Sequence, residues 1–275
     1  MPHVRINGAR LWYEVRGSGE PLLLHHGYTA SRVNWLPVAE RLQDRYQIVL
    51  MECRGTGESE HTAEGYSLEQ YAADVVGILD HLGLERVTFA GHSMGGGIGY
   101  LLGLDHAHRL ERLVLMAPIP AAGIGGLDPD ARQQRVQLRR DENREALLAE
   151  YRAARFRPDV ETEDWIESRV DHVLGVSDGH YEASAQSMVD LDVGHRLPEL
   201  QLPTLMLAGA VDELLRANLQ DFLALPNATL EVLSRAGHEV AVHEPDAVAR
   251  AIDAFMTHGP VTARNIRERM ASDST

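Results

Sequence analysis

Lysine does not occur anywhere in the 275 residues. Schiff-base chemistry, pyridoxal enzymes and serine–lysine dyads all need a lysine amine, so each is excluded. A glycine-rich phosphate loop ending in Lys-Ser or Lys-Thr is excluded with them. Cysteine occurs once, at Cys53, which rules out a disulfide within the chain and makes a reducing cytoplasm the expected compartment. No apolar run approaches the roughly 20 residues that span a bilayer. Met1-Pro2-His3-Val4-Arg5 leads into strand-like sequence without the apolar core of a secretion signal. Positive charge is also scarce, with 26 basic against 41 acidic residues and a formal net charge of −15. Such a surface repels phosphate backbones and anionic membranes, so neither nucleic acid nor membrane is an expected partner. The hydrophobic fraction of 44% suits a globular protein, one large domain or a domain with an insertion.

Strands and helices alternate along the first part of the chain. Val4 to Ile6 and Arg10 to Val15 flank Asn7-Gly8, a hairpin signal. Pro21 to His26 predicts a buried strand, Trp35 to Leu42 a helix and Tyr46 to Glu52 a further strand. Ser67 with Gln70 forms a capping box for a helix to about Leu82. Val87 to Ala90 and Leu113 to Met116 predict two more strands on either side of a small, apolar helix. This alternation implies a parallel sheet covered on both faces. It stops at Pro118. From there to Pro198 the sequence is charged and helix-patterned, with Asp128-Pro129 opening a helix expected to reach Ala154. Helices are also expected over Asp164 to Leu174 and Tyr181 to Asp190. The sheet pattern resumes at Thr204 to Gly209, followed by a helix (Leu215 to Leu225), a strand (Thr229 to Leu233) and a helix (Pro245 to Met256). The expected division is a core of residues 1–118 and 199–257, a helical cap of 119–198 and a polar tail of 258–275.

Gly91-His92-Ser93-Met94-Gly95 sits where a strand turns into a helix. The G-x-S-x-G spacing lets strand and helix approach closely while the serine takes a strained backbone conformation. The helix that follows aims free N–H groups and its positive dipole end at the reacting oxygen. A serine so placed still needs a base, and 14 histidines offer themselves. His238 follows the last strand, and in a parallel sheet that loop shares the C-terminal edge with Ser93. His243, five residues on, is the alternative. Asp212, beyond the strand Thr204 to Gly209, is the acid that would orient the imidazole. Glu213 competes with it, and the strand end Met116-Ala117-Pro118 carries no acid. Metal chemistry has weaker support. Asp105-His106-Ala107-His108 lacks an Asp-His continuation, and His238-Glu239 with His243 is one residue too long for two ligands on one helical face. Cys53, His25, His26 and His92 are read as packing residues.

The order Ser93, Asp212, His238 resembles that of the α/β-hydrolase superfamily, in particular its serine hydrolases with a helical cap. The motifs that carry the resemblance are His26-Gly27, Arg54-Gly55-Thr56-Gly57-Glu58-Ser59, the Ser93 elbow, Asp212 and Gly237-His238. It implies a mostly parallel eight-stranded sheet with helices on both faces and the cap inserted after the sixth strand. It also implies that the backbone N–H groups of Tyr28 and Met94 form an oxyanion hole. Two positions depart from the family pattern. Glu52 stands where Asp is common, and the apolar pair Ala210-Val211 precedes the acid.

The expectation is a cofactor-free, metal-free serine hydrolase acting as monomer or homodimer on a small molecule, an uncharged and mainly apolar ester or lactone. Gly27, Trp35, Ile119, Ile124, Trp165 and Met188 are the expected substrate contacts. A carbon–carbon bond hydrolase, a cofactor-free perhydrolase and a slow-turnover ligand receptor would carry the same triad. Dehalogenases and epoxide hydrolases instead place Asp at the position of Ser93.

Overall fold

The computed structural model describes residues 2–125, 129–262 and 265. Its sheet has eight strands, β1 (His3–Ile6), β2 (Ala9–Arg16), β3 (Glu20–His25), β4 (Tyr46–Met51), β5 (Val87–His92), β6 (Leu110–Met116), β7 (Thr204–Gly209) and β8 (Ala228–Leu233). They lie in the order β1-β2-β4-β3-β5-β6-β7-β8. β2 runs antiparallel to both β1 and β4, and every later pairing is parallel. Asn7 and Gly8 make the β1–β2 turn with φ of 46° and 81°, the left-handed pair a two-residue hairpin requires.

Side chains alternate between the two sheet faces. Leu23, Val49, Phe89, Leu113 and Met206 pack on one side beneath α2 (Leu68–Leu82) and α3 (Met94–Asp105). Leu22, Leu24, Ile48, Ala90, Val114 and Leu207 pack on the other beneath α1 (Leu36–Leu42) and α10 (Pro245–His258). Six-residue strands buried along most of their length read as continuous apolar runs for this reason. Ser67 caps α2 by accepting from the Gln70 N–H at 3.2 Å, and Gly83 closes it in a left-handed conformation.

Between β6 and β7 the chain forms α4 (Pro129–Arg140), α5 (Arg144–Ala154), α6 (Glu163–Gly175), a π turn at His180–Ser184 and α7 (Ala185–Asp190). Leu147, Ile166, Val170 and Val173 give this insert its own apolar cluster. The single helix expected from Pro129 to Ala154 is in fact two. Glu142 takes φ of 50°, and Asn143 starts α5 by accepting from the Ala146 N–H at 3.1 Å. An asparagine cap inside an apolar-periodic stretch restarts the helix in a new direction. The Asp128 cap and most of the tail lie outside the described residues. The core is completed by α8 (Leu215–Ala224) and the short α9 (Val240–His243). No described helix is long and apolar enough to cross a membrane.

Candidate active site

Ser93 links the end of β5 to the start of α3 with φ 55° and ψ −114°, a conformation that non-glycine residues rarely hold. Four backbone hydrogen bonds maintain it. Its N–H donates to Met116 O at 3.0 Å, and its carbonyl accepts from the N–H groups of Gly96, Gly97 and Ile119 at 2.9, 3.2 and 3.1 Å. The flanking glycines are required by contact. A β-carbon on Gly91 would strike the Gly95 carbonyl, and one on Gly95 would lie 2.7 Å from His25 O.

His238 lies in the loop after β8, and its Nε2 is 2.9 Å from Ser93 Oγ. Its Nδ1 is 3.0 Å from Asp212 Oδ2. The other carboxylate oxygen of Asp212 accepts from the Leu214 N–H at 3.0 Å, which holds the acid in the β7–α8 loop. Glu213 borders the same cleft, but Asp212 is the acid that reaches the imidazole. Burial draws the His238 pKa down. The hydrogen bond and charge of Asp212, with Glu239, overcome that effect and leave it above 6.5. Burial would raise the Asp212 carboxyl, yet its bond to His238 and that ring's charge hold it below the ordinary value.

The expected anion-binding groups stand on the other side of the serine. Gly27 is packed so closely that a β-carbon there would be 3.1 Å from Ser93 Cβ, so the chain at Gly27 passes close to the Ser93 side chain. Met94 is the first residue of α3, where a helix offers an N–H with no carbonyl one turn back.

Ser93, Asp212, His238 and Tyr28 border a cleft of about 690 Å³ shared with the insert. Gly27 and Ile124 line it, while Trp35, Ile119, Trp165 and Met188 do not. Trp35 is fully buried with its indole N–H donating to His25 O at 2.9 Å. Ile119 and Met188 belong to the main core, where Ile119 packs against Gly97. Trp165 packs at the margin of the insert's own cluster. Tyr28, Phe156, Val173, Tyr181 and Val211 supply apolar surface to the cleft instead.

Further polar residues surround the triad, and of these Arg169 is the one that sequence reasoning missed. His92 is buried, and burial brings its pKa down to about 4. Its Nε2–H therefore donates to His238 O at 2.8 Å and anchors the histidine loop. His243, the alternative base, accepts the Gly237 N–H through Nδ1 at 3.0 Å and presents Nε2 to Glu161 at 3.2 Å. It braces the loop and does not reach Ser93. Arg169 shares the buried side of α6 with Ile166, Val170 and Val173; a charge in an apolar register was the available signal. Cys53 does have an imidazole neighbour, His25 Nε2 at 3.4 Å. Burial raises the thiol well above its ordinary pKa and lowers His25 to about 3, so both stay neutral. Among the described residues, no group of three His, Cys, Asp or Glu side chains could hold a metal ion.

The sequence model for the alpha/beta hydrolase fold matches residues 20–245. The chain is 30% identical over 270 residues to a Caulobacter sp. (strain K31) protein named as the carbamate hydrolase RutD, covering 90% of this chain and 96% of that one. It is 30% identical over 227 residues to 3-oxoadipate enol-lactonase 2 of Acinetobacter baylyi, covering 81% and 83%. The crystal structure of the enol-lactonase from Burkholderia xenovorans LB400 superposes with a TM-score of 0.82 at 25% identity, covering 94% of this chain and 100% of that one. Sequence, sheet order and elbow agree, and the chain belongs to the alpha/beta hydrolase fold family.

Proposed function

We propose that the chain is a serine hydrolase that cleaves a carboxylic ester or lactone through an acyl-enzyme. The observation that carries this reading is the alignment of Ser93 Oγ, His238 and Asp212 at 2.9 and 3.0 Å on a backbone held at φ 55°. His238 Nε2 accepts the Ser93 proton as Oγ bonds to the carbonyl carbon. The oxygen gains charge beside the N–H groups of Tyr28 and Met94, and a donor in such a place is worth about 3–4 kcal/mol in the transition state. The imidazolium then protonates the leaving alkoxide. Water, deprotonated by the same ring, hydrolyses the acyl-enzyme. Asp212 holds Nδ1–H throughout and stabilises the imidazolium.

The insert acts as a cap that shields the acyl carbon from bulk water. An uncharged substrate with apolar groups suits the walls. Glu161, Asp212, Glu213 and Glu239 outnumber Arg135 and Arg169, and Tyr28, Ile124, Phe156, Val173 and Val211 supply apolar surface. The relatives support hydrolysis as the reaction class, being named as an enol-lactonase and a carbamate hydrolase.

A panel of short p-nitrophenyl esters, lactones and β-diketones, run with the wild type and Ser93→Ala together, tests the proposal. Repeated turnover of esters or lactones, reduced at least about 10³-fold by the substitution, is the expected result. Full activity in Ser93→Ala would overturn the mechanism. A single stoichiometric burst would identify a receptor, and cleavage confined to β-diketones a carbon–carbon hydrolase.

A further inference from the structure

One side chain of the insert touches both loops that flank Ser93. Arg169 is 5% exposed. Its Nη1 donates to the carbonyl of Thr29 at 2.8 Å, and its Nη2 reaches Tyr151 Oη at 3.4 Å. Its Nε makes no hydrogen bond and faces the Glu239 carboxylate at 3.8 Å. Thr29 follows Tyr28 in the expected oxyanion loop, and Glu239 follows His238. The guanidinium therefore joins the two halves of the site.

The oxyanion loop needs such support. Thr29 holds φ of 50°, an unfavourable left-handed conformation for a β-branched residue. Other insert groups also grip this loop. The Thr29 N–H points to His180 Nε2 at 3.5 Å, and the Tyr28 hydroxyl donates to the Tyr181 carbonyl. On the opposite side, Glu239 accepts from Asn34 Nδ2 at 2.6 Å. A substrate anion is a poor alternative partner for Arg169, because Glu239 already offsets its charge and its best-formed bond goes to the main chain.

Resting on the serine-hydrolase reading, we propose that Arg169 is a positioning residue. It locks the oxyanion loop at Thr29 to the histidine loop at Glu239, so the site is assembled only while the insert is seated. A second consequence is electrostatic. The charged and titratable groups facing His238 are Asp212 from the β7–α8 loop, His92 from the end of β5, Glu239 on its own loop and Arg169 from α6. Asp212 and Glu239 favour the imidazolium, and Arg169 opposes it.

Steady-state hydrolysis of p-nitrophenyl acetate by the wild type, Ser93→Ala, Arg169→Gln, Arg169→Lys and Tyr28→Phe tests the clamp. Arg169→Gln is expected to lower kcat about 10–100-fold with KM within about threefold. Its kcat/KM acid limb should move to higher pH. Arg169→Lys keeps the charge but not the fork, so its acid limb should stay at the wild-type pH while kcat remains reduced. Tyr28→Phe keeps the backbone N–H and loses only the hydroxyl. It should lower kcat by about threefold or more at unchanged KM through a separate contact of the insert with the same loop, and Arg169→Lys tests the clamp where Arg169→Gln is unfolded. Wild-type kcat and pH limb in Arg169→Gln, or a rise in KM alone, would overturn the clamp. Equal turnover by Ser93→Ala would instead defeat the serine-hydrolase reading, and the clamp with it.

Discussion

The main chain of Gly209 lies against that of Gly237. A β-carbon on Gly209 would strike the Gly237 carbonyl oxygen and stand 2.6 Å from that of Ala236. Gly209 ends β7, three residues before Asp212, and Gly237 immediately precedes His238. Closeness of these two backbones is what brings the acid within 3.0 Å of the imidazole. Gly209→Ala must push the loops apart, because the opposing atoms are backbone and cannot rotate away. The expected result is a loss in kcat/KM of about 10²-fold, the usual consequence of displacing a catalytic group by about 1 Å. Overpacking should cost about 1–3 kcal/mol of stability. Kinetics and a denaturant titration of the one variant check both; unchanged kinetics would show that the loops adjust.

The pH profile follows from the balance at His238. Burial favours the neutral ring, while the hydrogen bond and charge of Asp212, with Glu239, favour the imidazolium and prevail. A general base works only when neutral. Activity should therefore rise with pH and reach half its maximum above 6.5, the ordinary histidine value. Asp212→Asn removes the dominant partner and leaves burial in place. The acid limb should shift to lower pH, and the plateau should fall by about 10⁴-fold as the tautomer is lost. Measuring kcat/KM against pH for both proteins decides the matter, and a wild-type limb at or below 6.5 would contradict it.

Acid stability depends on different histidines. Burial lowers His25 to about 3, and His26 and His92 to about 4. Below the unfolded value of about 6.5 the unfolded chain takes up protons that the folded chain refuses. Stability from these groups is thus fully present above 6.5 and is lost as pH falls toward 4. Each histidine well inside that window contributes a slope of about 1.4 kcal/mol per pH unit. Guanidinium unfolding across this range should show falling midpoints, with a shallower slope in His92→Asn by one proton. An equally steep slope in that variant would mean that His92 is not the neutral, buried group described.

Much of this site could be read from the residues themselves, because the elbow, the acid and the base each follow a strand on one sheet edge. Short apolar runs and the Asn7-Gly8 turn mark the strands. Glu52, where Asp is usual in the family, supports its loop, its carboxylate accepting from the Glu58 N–H at 2.7 Å and from Arg32 at 2.9 Å. The cleft walls were not legible. A large apolar residue such as Trp35 or Met188 suits a core as well as a pocket wall, and only the packing of the insert decides which face meets the cleft. The break at Glu142 is not legible because charged, helix-forming residues continue on both sides of it. Arg169 carries a signal, a charge in register with Ile166, Val170 and Val173, but the other charges of its helix obscure it.

The backbone at Ser93 is strained. Ser93 keeps φ at 55° and ψ at −114° because four backbone hydrogen bonds leave the chain no alternative. A residue forced into such a region stores about 1–3 kcal/mol. Ser93→Gly relieves that strain, since glycine adopts positive φ readily, although greater freedom in the unfolded chain takes back about 0.5–1 kcal/mol. The variant should be inactive on esters yet more stable than the wild type by about 1 kcal/mol. Ser93→Ala keeps the β-carbon and the strain, so it should be inactive without that gain. Comparing the two midpoints separates backbone strain from loss of the hydroxyl. Equal stability of Ser93→Gly and Ser93→Ala would mean that the elbow stores no more than the roughly 0.5–1 kcal/mol that glycine loses through the unfolded chain.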